Sequence, residues 1–138
     1  LVRFGAKLTL VSPESLKMPA EIVSDLKNHG ADVNETEEMA SSISSADVIY
    51  MTRIQKERFP DEDEYNKVAG VYKLDASDLS EAKTGMIVMH PLPRVNELRA
   101  SVDSTKHARY FEQAFNGVPT RMALLCRGLG IKVPKKVK

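Results

Sequence analysis

Two short stretches carry side chains that could do chemistry. The apolar run Val48-Ile49-Tyr50-Met51-Thr52 leads into Arg53-Ile54-Gln55, and Met86-Ile87-Val88-Met89 leads into His90-Pro91-Leu92-Pro93-Arg94. Arg53 and Gln55 are two apart, so in extended backbone they point the same way while Ile54 points elsewhere. An arginine fork binds a carboxylate at two points, with a geometry lysine cannot match. A neighbouring glutamine both donates and accepts. The pair would suit an amino acid or a dicarboxylate. The same spacing also fits an arginine held by a structural Asp or Glu beside an exposed glutamine. In the second stretch, Pro91 and Pro93 fix φ and carry no N–H. Their carbonyls therefore have few competing donors and could be aimed at a ligand's N–H groups. A stiff loop that only reverses the chain fits as well. His90 is either a general base or a hydrogen-bonded structural residue at a strand end.

The elements that must place these stretches alternate along the chain. Strands are expected at residues 7–11, 32–35, 47–52, 71–74 and 86–89. Three of them are continuous apolar runs, which suits strands covered on both faces, as in parallel sheets. Helices are expected at 19–29, where Ile22, Val23 and Leu26 share a face and Gly30 is a stop, and at 61–68. A short helix opens at Thr36 and carries Met39 and Ile43, and residues 77–83 form a turn or two. Two further helices are expected at 105–115, stopped by Gly117, and at 119–129, with Pro119 in the first turn. Alternating strands and helices predict an α/β fold: a three-layer, Rossmann-like domain with a mostly parallel sheet flanked by helices.

Composition removes several function classes. The 138 residues hold 20 Lys+Arg against 19 Asp+Glu, so no basic field argues for nucleic acid. The single cysteine, Cys126, excludes an internal disulfide and a Cys-based zinc site. It sits in the apolar pattern from Met122 to Cys126, so a buried inert thiol is expected. No apolar run approaches the ~18 residues of a membrane span, and no signal peptide is visible, so a cytoplasmic location is expected. The chain opens at Leu1 without Met, in what reads as the last turn of a helix, as if inside a larger protein. Lys132, Lys135, Lys136 and Lys138 read as a solvated terminus. Asp61-Glu62-Asp63-Glu64 reads as a solvated face, lacking the glycine and spaced ligands of a calcium loop. Neither G-x-G-x-x-G nor G-x-x-x-x-G-K-[ST] occurs, so no nucleotide phosphate site is supported.

The two strand ends, in this order, resemble the aspartate carbamoyltransferase family. The likeness rests on Tyr50-Met51-Thr52-Arg53-Ile54-Gln55-Lys56-Glu57-Arg58-Phe59, then Met89-His90-Pro91-Leu92-Pro93-Arg94-Val95-Asn96-Glu97. It continues through Ala108-Arg109-Tyr110-Phe111-Glu112-Gln113, Asn116-Gly117 and Arg121-Met122-Ala123-Leu124-Leu125. It covers the chain from Leu1 to about Leu129. The sister family, the ornithine carbamoyltransferases, typically has a cysteine where this turn has Pro91, which favours aspartate.

The resemblance implies an aspartate-binding domain over residues 1–130, with a basic tail at 131–138. Such enzymes transfer the carbamoyl group of carbamoyl phosphate to L-aspartate in pyrimidine biosynthesis, with no metal or organic cofactor, as homotrimers of the full chain. Regulatory chains or fused pyrimidine-pathway enzymes stay open as partners. By motif match, Arg53 holds an aspartate carboxylate and Gln55 assists. Pro91, Leu92 and Pro93 turn main-chain carbonyls toward the carbamoyl amide and the incoming amine. Arg58, Glu64 and Tyr65 match a mobile loop that locks two domains closed, and Arg121 matches a basic residue near the mouth of the site. Asn96 stands where many bacterial members have an Asp that partners the loop tyrosine. The family's Ser-Thr-Arg-Thr phosphate loop, its catalytic His and a Lys lent by a neighbouring subunit have no match here. The isolated chain is therefore expected to be inactive, because the leaving phosphate needs a preorganised donor set. Two other readings stand beside this one: a non-catalytic scaffold or regulatory domain, and a carbamoyltransferase for another amino acid.

Overall fold

The computed structural model describes residues 1–132, so the tail from 133 to 138, and most of the expected basic segment, lies outside the described residues. Four short strands alternate with four helices. Strand β1 (Leu8–Val11) pairs in parallel with β2 (Val33–Thr36), and β3 (Val48–Tyr50) pairs in parallel with β4 (Ile87–Met89). Helix α1 (Ala20–Asn28) crosses from β1 to β2, α2 (Ala40–Ile43) leads to β3, and α3 (Glu62–Val68) lies between β3 and β4. The parallel α/β expectation holds. Hydrogen bonding groups the strands as two pairs, β1–β2 and β3–β4.

The core gathers around the β3–β4 pair. Ile43, Met51, Leu74, Leu79, Met86, Val88, Leu98, Val102 and Tyr110 form one buried cluster. In α1 the expected apolar face is only partly used: Val23 is buried and Ile22 is exposed. The acidic run has a local explanation. Asp61 caps α3, its carboxylate accepting the Glu64 N–H at 2.8 Å, and the next three acids occupy the first turn. Negative charge is favourable there, because the first N–H groups of a helix lack intrahelical partners.

Two expected elements differ. Residues 71–74 do not form a strand. They keep one parallel bridge, in which Leu74 N–H donates to Glu97 O at 2.8 Å and Arg99 N–H to Leu74 O at 3.0 Å. Gly70, at φ 74°, and a Val71 N–H to Val68 O bond turn the chain directly after α3, so little length remains to extend. The two expected C-terminal helices are one, α4 (Tyr110–Gly128), with Gly117 and Pro119 inside it. Proline's φ is itself helical, so Pro119 removes one intrahelical donor without forcing an end. Gly117 leaves room for the Arg121 guanidinium, which a side chain at 117 would strike. Tyr110 is buried, while Phe115 is 71% and Leu129 72% exposed. Cys126, expected to be buried, is only half-buried.

Candidate functional site

The register of β3 and β4 brings the two chemical stretches together. Tyr50 lies opposite Met89, and Met51 N–H donates to Met89 O at 2.9 Å. Both strands run the same way, so both carboxyl ends leave from one edge. Ligands of parallel α/β sheets bind outside such ends.

On the β3 side, Arg53 and Gln55 are both half-buried. The Arg53 fork meets Glu57 at two points, Nη1 to Oε2 at 3.2 Å and Nη2 to Oε1 at 2.5 Å. The hydrogen bonds it donates to Glu57 push the guanidinium pKa above its ordinary value. The intrachain carboxylate partner weighed from sequence is thus present. It engages the two terminal nitrogens and leaves the Nε–H edge of the fork for a second carboxylate. The Gln55 side chain makes no hydrogen bond among the described residues.

The expected closing segment starts as one turn of 3-10 helix (Lys56–Arg58) and continues into α3. The Arg58 side chain lies outside the described part. Glu64 pairs with Lys67. Tyr65 packs edge-on against Phe59 at 5.7 Å, with Lys56 Nζ 5.8 Å from its ring. Among the described residues no hydrogen bond joins Asn96 to Tyr65. Arg121 is exposed on α4 and lines an open cleft with Met89, Gln113 and Asn116, a short way along from the turn.

On the β4 side, the turn is acceptor-rich to an unusual degree. Leu92 sits at φ 50° and is followed by a cis bond to Pro93. Pro91 and Pro93 have no N–H. The other two donors are consumed: His90 N–H by Gln113 Oε1 at 3.0 Å, and Leu92 N–H by His90 Nδ1 at 2.8 Å. None of the carbonyls of residues 90–93 accepts a hydrogen bond from a described residue. The turn therefore holds four carbonyls without a described partner and no free backbone donor.

His90 is not placed to be a base. It is 1% exposed, and its Nε2 meets Glu97 Oε1 at 2.8 Å. An N–H can only donate, so Nδ1 accepts from Leu92 and Nε2 carries the proton toward Glu97. Burial pushes the Glu97 carboxyl up, yet donors from its own backbone, Val95, His90 and Asn96 hold it below its ordinary value. Sequence reasoning missed Glu57, Glu97 and Gln113. Glu57, at i+4 from Arg53, was recoverable from spacing. The other two were not, since neither lies at a periodic offset from its partner.

A second cluster fastens the turn to α4. Arg94 Nη2 donates to Asp103 Oδ2 at 2.7 Å, Nη1 reaches the other oxygen, and the Tyr110 hydroxyl donates to the same carboxylate. Burial, then the bond to Asp103, pushes the Tyr110 phenol up to about 12 from 10.0. Between those values the folded chain keeps a proton that the unfolded chain has lost. The stabilisation is therefore complete below about pH 10 and is lost as pH rises toward about 12. Thermal midpoints should fall over that interval in the wild type and fall less in Tyr110→Phe. Equal slopes would show that Tyr110 does not titrate in this way.

Residues 1–127 match the family model described as the Asp/Orn binding domain of aspartate/ornithine carbamoyltransferase. The aspartate carbamoyltransferase catalytic subunit of Methanocella arvoryzae is 54% identical over 130 residues, 94% of this chain and 42% of that protein. The catalytic subunit of Archaeoglobus fulgidus is 54% identical over 125 residues, 91% of this chain and 40% of the relative. Among solved structures, the catalytic subunit of M. jannaschii aspartate transcarbamoylase matches with a TM-score of 0.78 and 44% identity, over 88% of this chain and 40% of that one. The Trypanosoma cruzi aspartate transcarbamoylase in complex with carbamoyl phosphate and aspartate matches with a TM-score of 0.77 and 37% identity, over 86% and 40%. The chain spans about two fifths of the length of the relatives it matches.

Proposed function

The chain belongs to the aspartate/ornithine carbamoyltransferase family, and we propose that it is the aspartate-binding part of an aspartate carbamoyltransferase. The observation that carries this reading is the pairing of a carboxylate-binding arm with an acceptor-only turn. Arg53 and residues 90–93 leave the same edge, stitched by the Met51 N–H to Met89 O bond. Aspartate brings a carboxylate for the arm, and the carbamoyl amide and incoming amine bring N–H groups for the carbonyls of Pro91, Leu92 and Pro93.

With both substrates held, the neutral amine attacks the carbonyl carbon of carbamoyl phosphate. The attacking nitrogen gives up a proton to the departing phosphate as the tetrahedral intermediate collapses, the bond to the phosphate oxygen breaks, and phosphate leaves with the electron pair. The residues here supply orientation, which converts an encounter into a near-unimolecular step. Gln55 assists the arm, Arg58, Glu64 and Tyr65 close the site, and Arg121 contributes positive charge near its mouth. The same reading carries a homotrimer of the full chain and a cytoplasmic setting. No helix among the described residues is long and apolar enough to cross a membrane.

The full-length protein, given carbamoyl phosphate and a panel of amino acids, should form a carbamoyl product with aspartate and not with ornithine. Preferential turnover of another amino acid would replace aspartate as the substrate. No turnover of any would favour the scaffold reading.

A further inference from the structure

We propose that His90 is a positioning residue for the substrate-facing turn: its imidazole holds the Leu92 amide, so that residues 90–93 present carbonyls and no donor. The inference rests on the reading that this turn contacts the transferred group. Leu92 has a side chain yet adopts φ 50°, a conformation that costs energy and persists only where the surroundings hold it. The turn is pinned on the N-terminal side of that residue. Leu92 N–H is tied back to His90 Nδ1 at 2.8 Å, two residues earlier. The ring is fixed in turn by Glu97 Oε1, 2.8 Å from Nε2.

Glu97 closes the loop by accepting Val95 N–H at 3.2 Å and Asn96 N–H at 3.0 Å. The amide of Gln113, on α4, anchors the start of the turn. Its Oε1 takes His90 N–H, and its Nε2 donates to Tyr50 Oη at 3.0 Å, at the end of β3. The turn is thus referenced to both strands. Without the imidazole acceptor, the Leu92 N–H would be free to face the edge where substrate N–H groups must dock. A donor there would repel them.

Two isosteres separate positioning from mere support. Asparagine places an amide oxygen near Nδ1 and can still accept the Leu92 N–H, but it cannot reach Glu97. Glutamine places an amide nitrogen near Nε2 and can still donate to Glu97, but it gives Leu92 no acceptor. In the full-length protein, His90→Gln should raise the KM for carbamoyl phosphate above that of His90→Asn by roughly ten- to a hundred-fold. The Leu92 amide proton should also exchange faster in His90→Gln. A His90 that only supports the core through Glu97 predicts the reverse order, and that result overturns the proposal.

If the wild-type protein carbamoylates no amino acid, the functional reading fails by itself, and Leu92 exchange still decides the role of His90. If neither variant folds, imidazole nitrogen NMR of the wild type decides. A proton on Nε2 supports the arrangement, and a proton on Nδ1 overturns it.

Discussion

Replacing Arg53 with alanine in the full-length protein should weaken aspartate binding by roughly ten- to a hundred-fold, the size of one charge-assisted contact of about 1.5–3 kcal/mol. Carbamoyl phosphate binding should stay near the wild-type level, because the proposed reading docks its amide on carbonyls of the neighbouring turn rather than on Arg53. The effect should appear mainly in the KM for aspartate. Lysine at this position should recover only part of the loss, since it offers a point charge and no planar fork. Glu57 sharpens the expectation. It already engages Nη1 and Nη2, which orients the guanidinium before any ligand arrives. Removing the fork therefore removes a prepaid geometry as well as a charge. An Arg53→Ala enzyme with unchanged aspartate KM would remove Arg53 from the site.

Truncating Leu74 to alanine should have the largest effect on stability. Leu74 is fully buried in the cluster beneath β3 and β4. Its backbone ties the 71–74 segment to the fold, through Glu97 O and Arg99 N–H. Loss of a buried leucine side chain costs about 2–5 kcal/mol, against a total of about 5–15 kcal/mol for a typical domain. Exchange of the Val88 amide, bonded to His107 O at 2.8 Å, reports on this cluster. It should quicken by about 30-fold or more in Leu74→Ala, the lower end of that range. A change of a few-fold would mean that the cavity collapses or that Leu74 is not part of the cooperative core. The damage should also reach the site, because Glu97 follows the same bridge and orients His90.

Much of the site was legible because its signals are local. A continuous apolar run marked three of the strands, although β3 is not covered on both faces, since Val48 and Tyr50 are about half exposed, and prolines in a turn remove donors wherever they occur. Arg53, Gln55 and the 90–93 turn could thus be named from a few neighbouring residues. The acidic run at 61–64 was legible as solvated, but its role as the cap and first turn of α3 needed the backbone. The two-helix reading of the C-terminal part failed for a physical reason. Gly117 and Pro119 weaken a helix, yet proline's φ is helical and the Gly117 site is filled by the Arg121 side chain, so α4 runs through. The strand expected at 71–74 failed because β propensity cannot anticipate a turn at Gly70 that uses up the segment.

By itself the sequence determined which residue types could bind a carboxylate and accept from N–H groups, and that parallel strands would end in them. These follow from covalent chemistry and short-range periodicity. Only the tertiary structure decided which partner each group takes. Parallel pairing of β3 with β4 set Arg53 beside the turn. Burial against Glu97 and Leu92 turned His90 from a candidate base into a fixed hydrogen-bond junction. Gln113, 23 residues beyond His90, reaches it because α4 packs against β4. Such partners are chosen by proximity in space and by the cost of leaving a buried polar group unpaired, and neither quantity is written in local spacing.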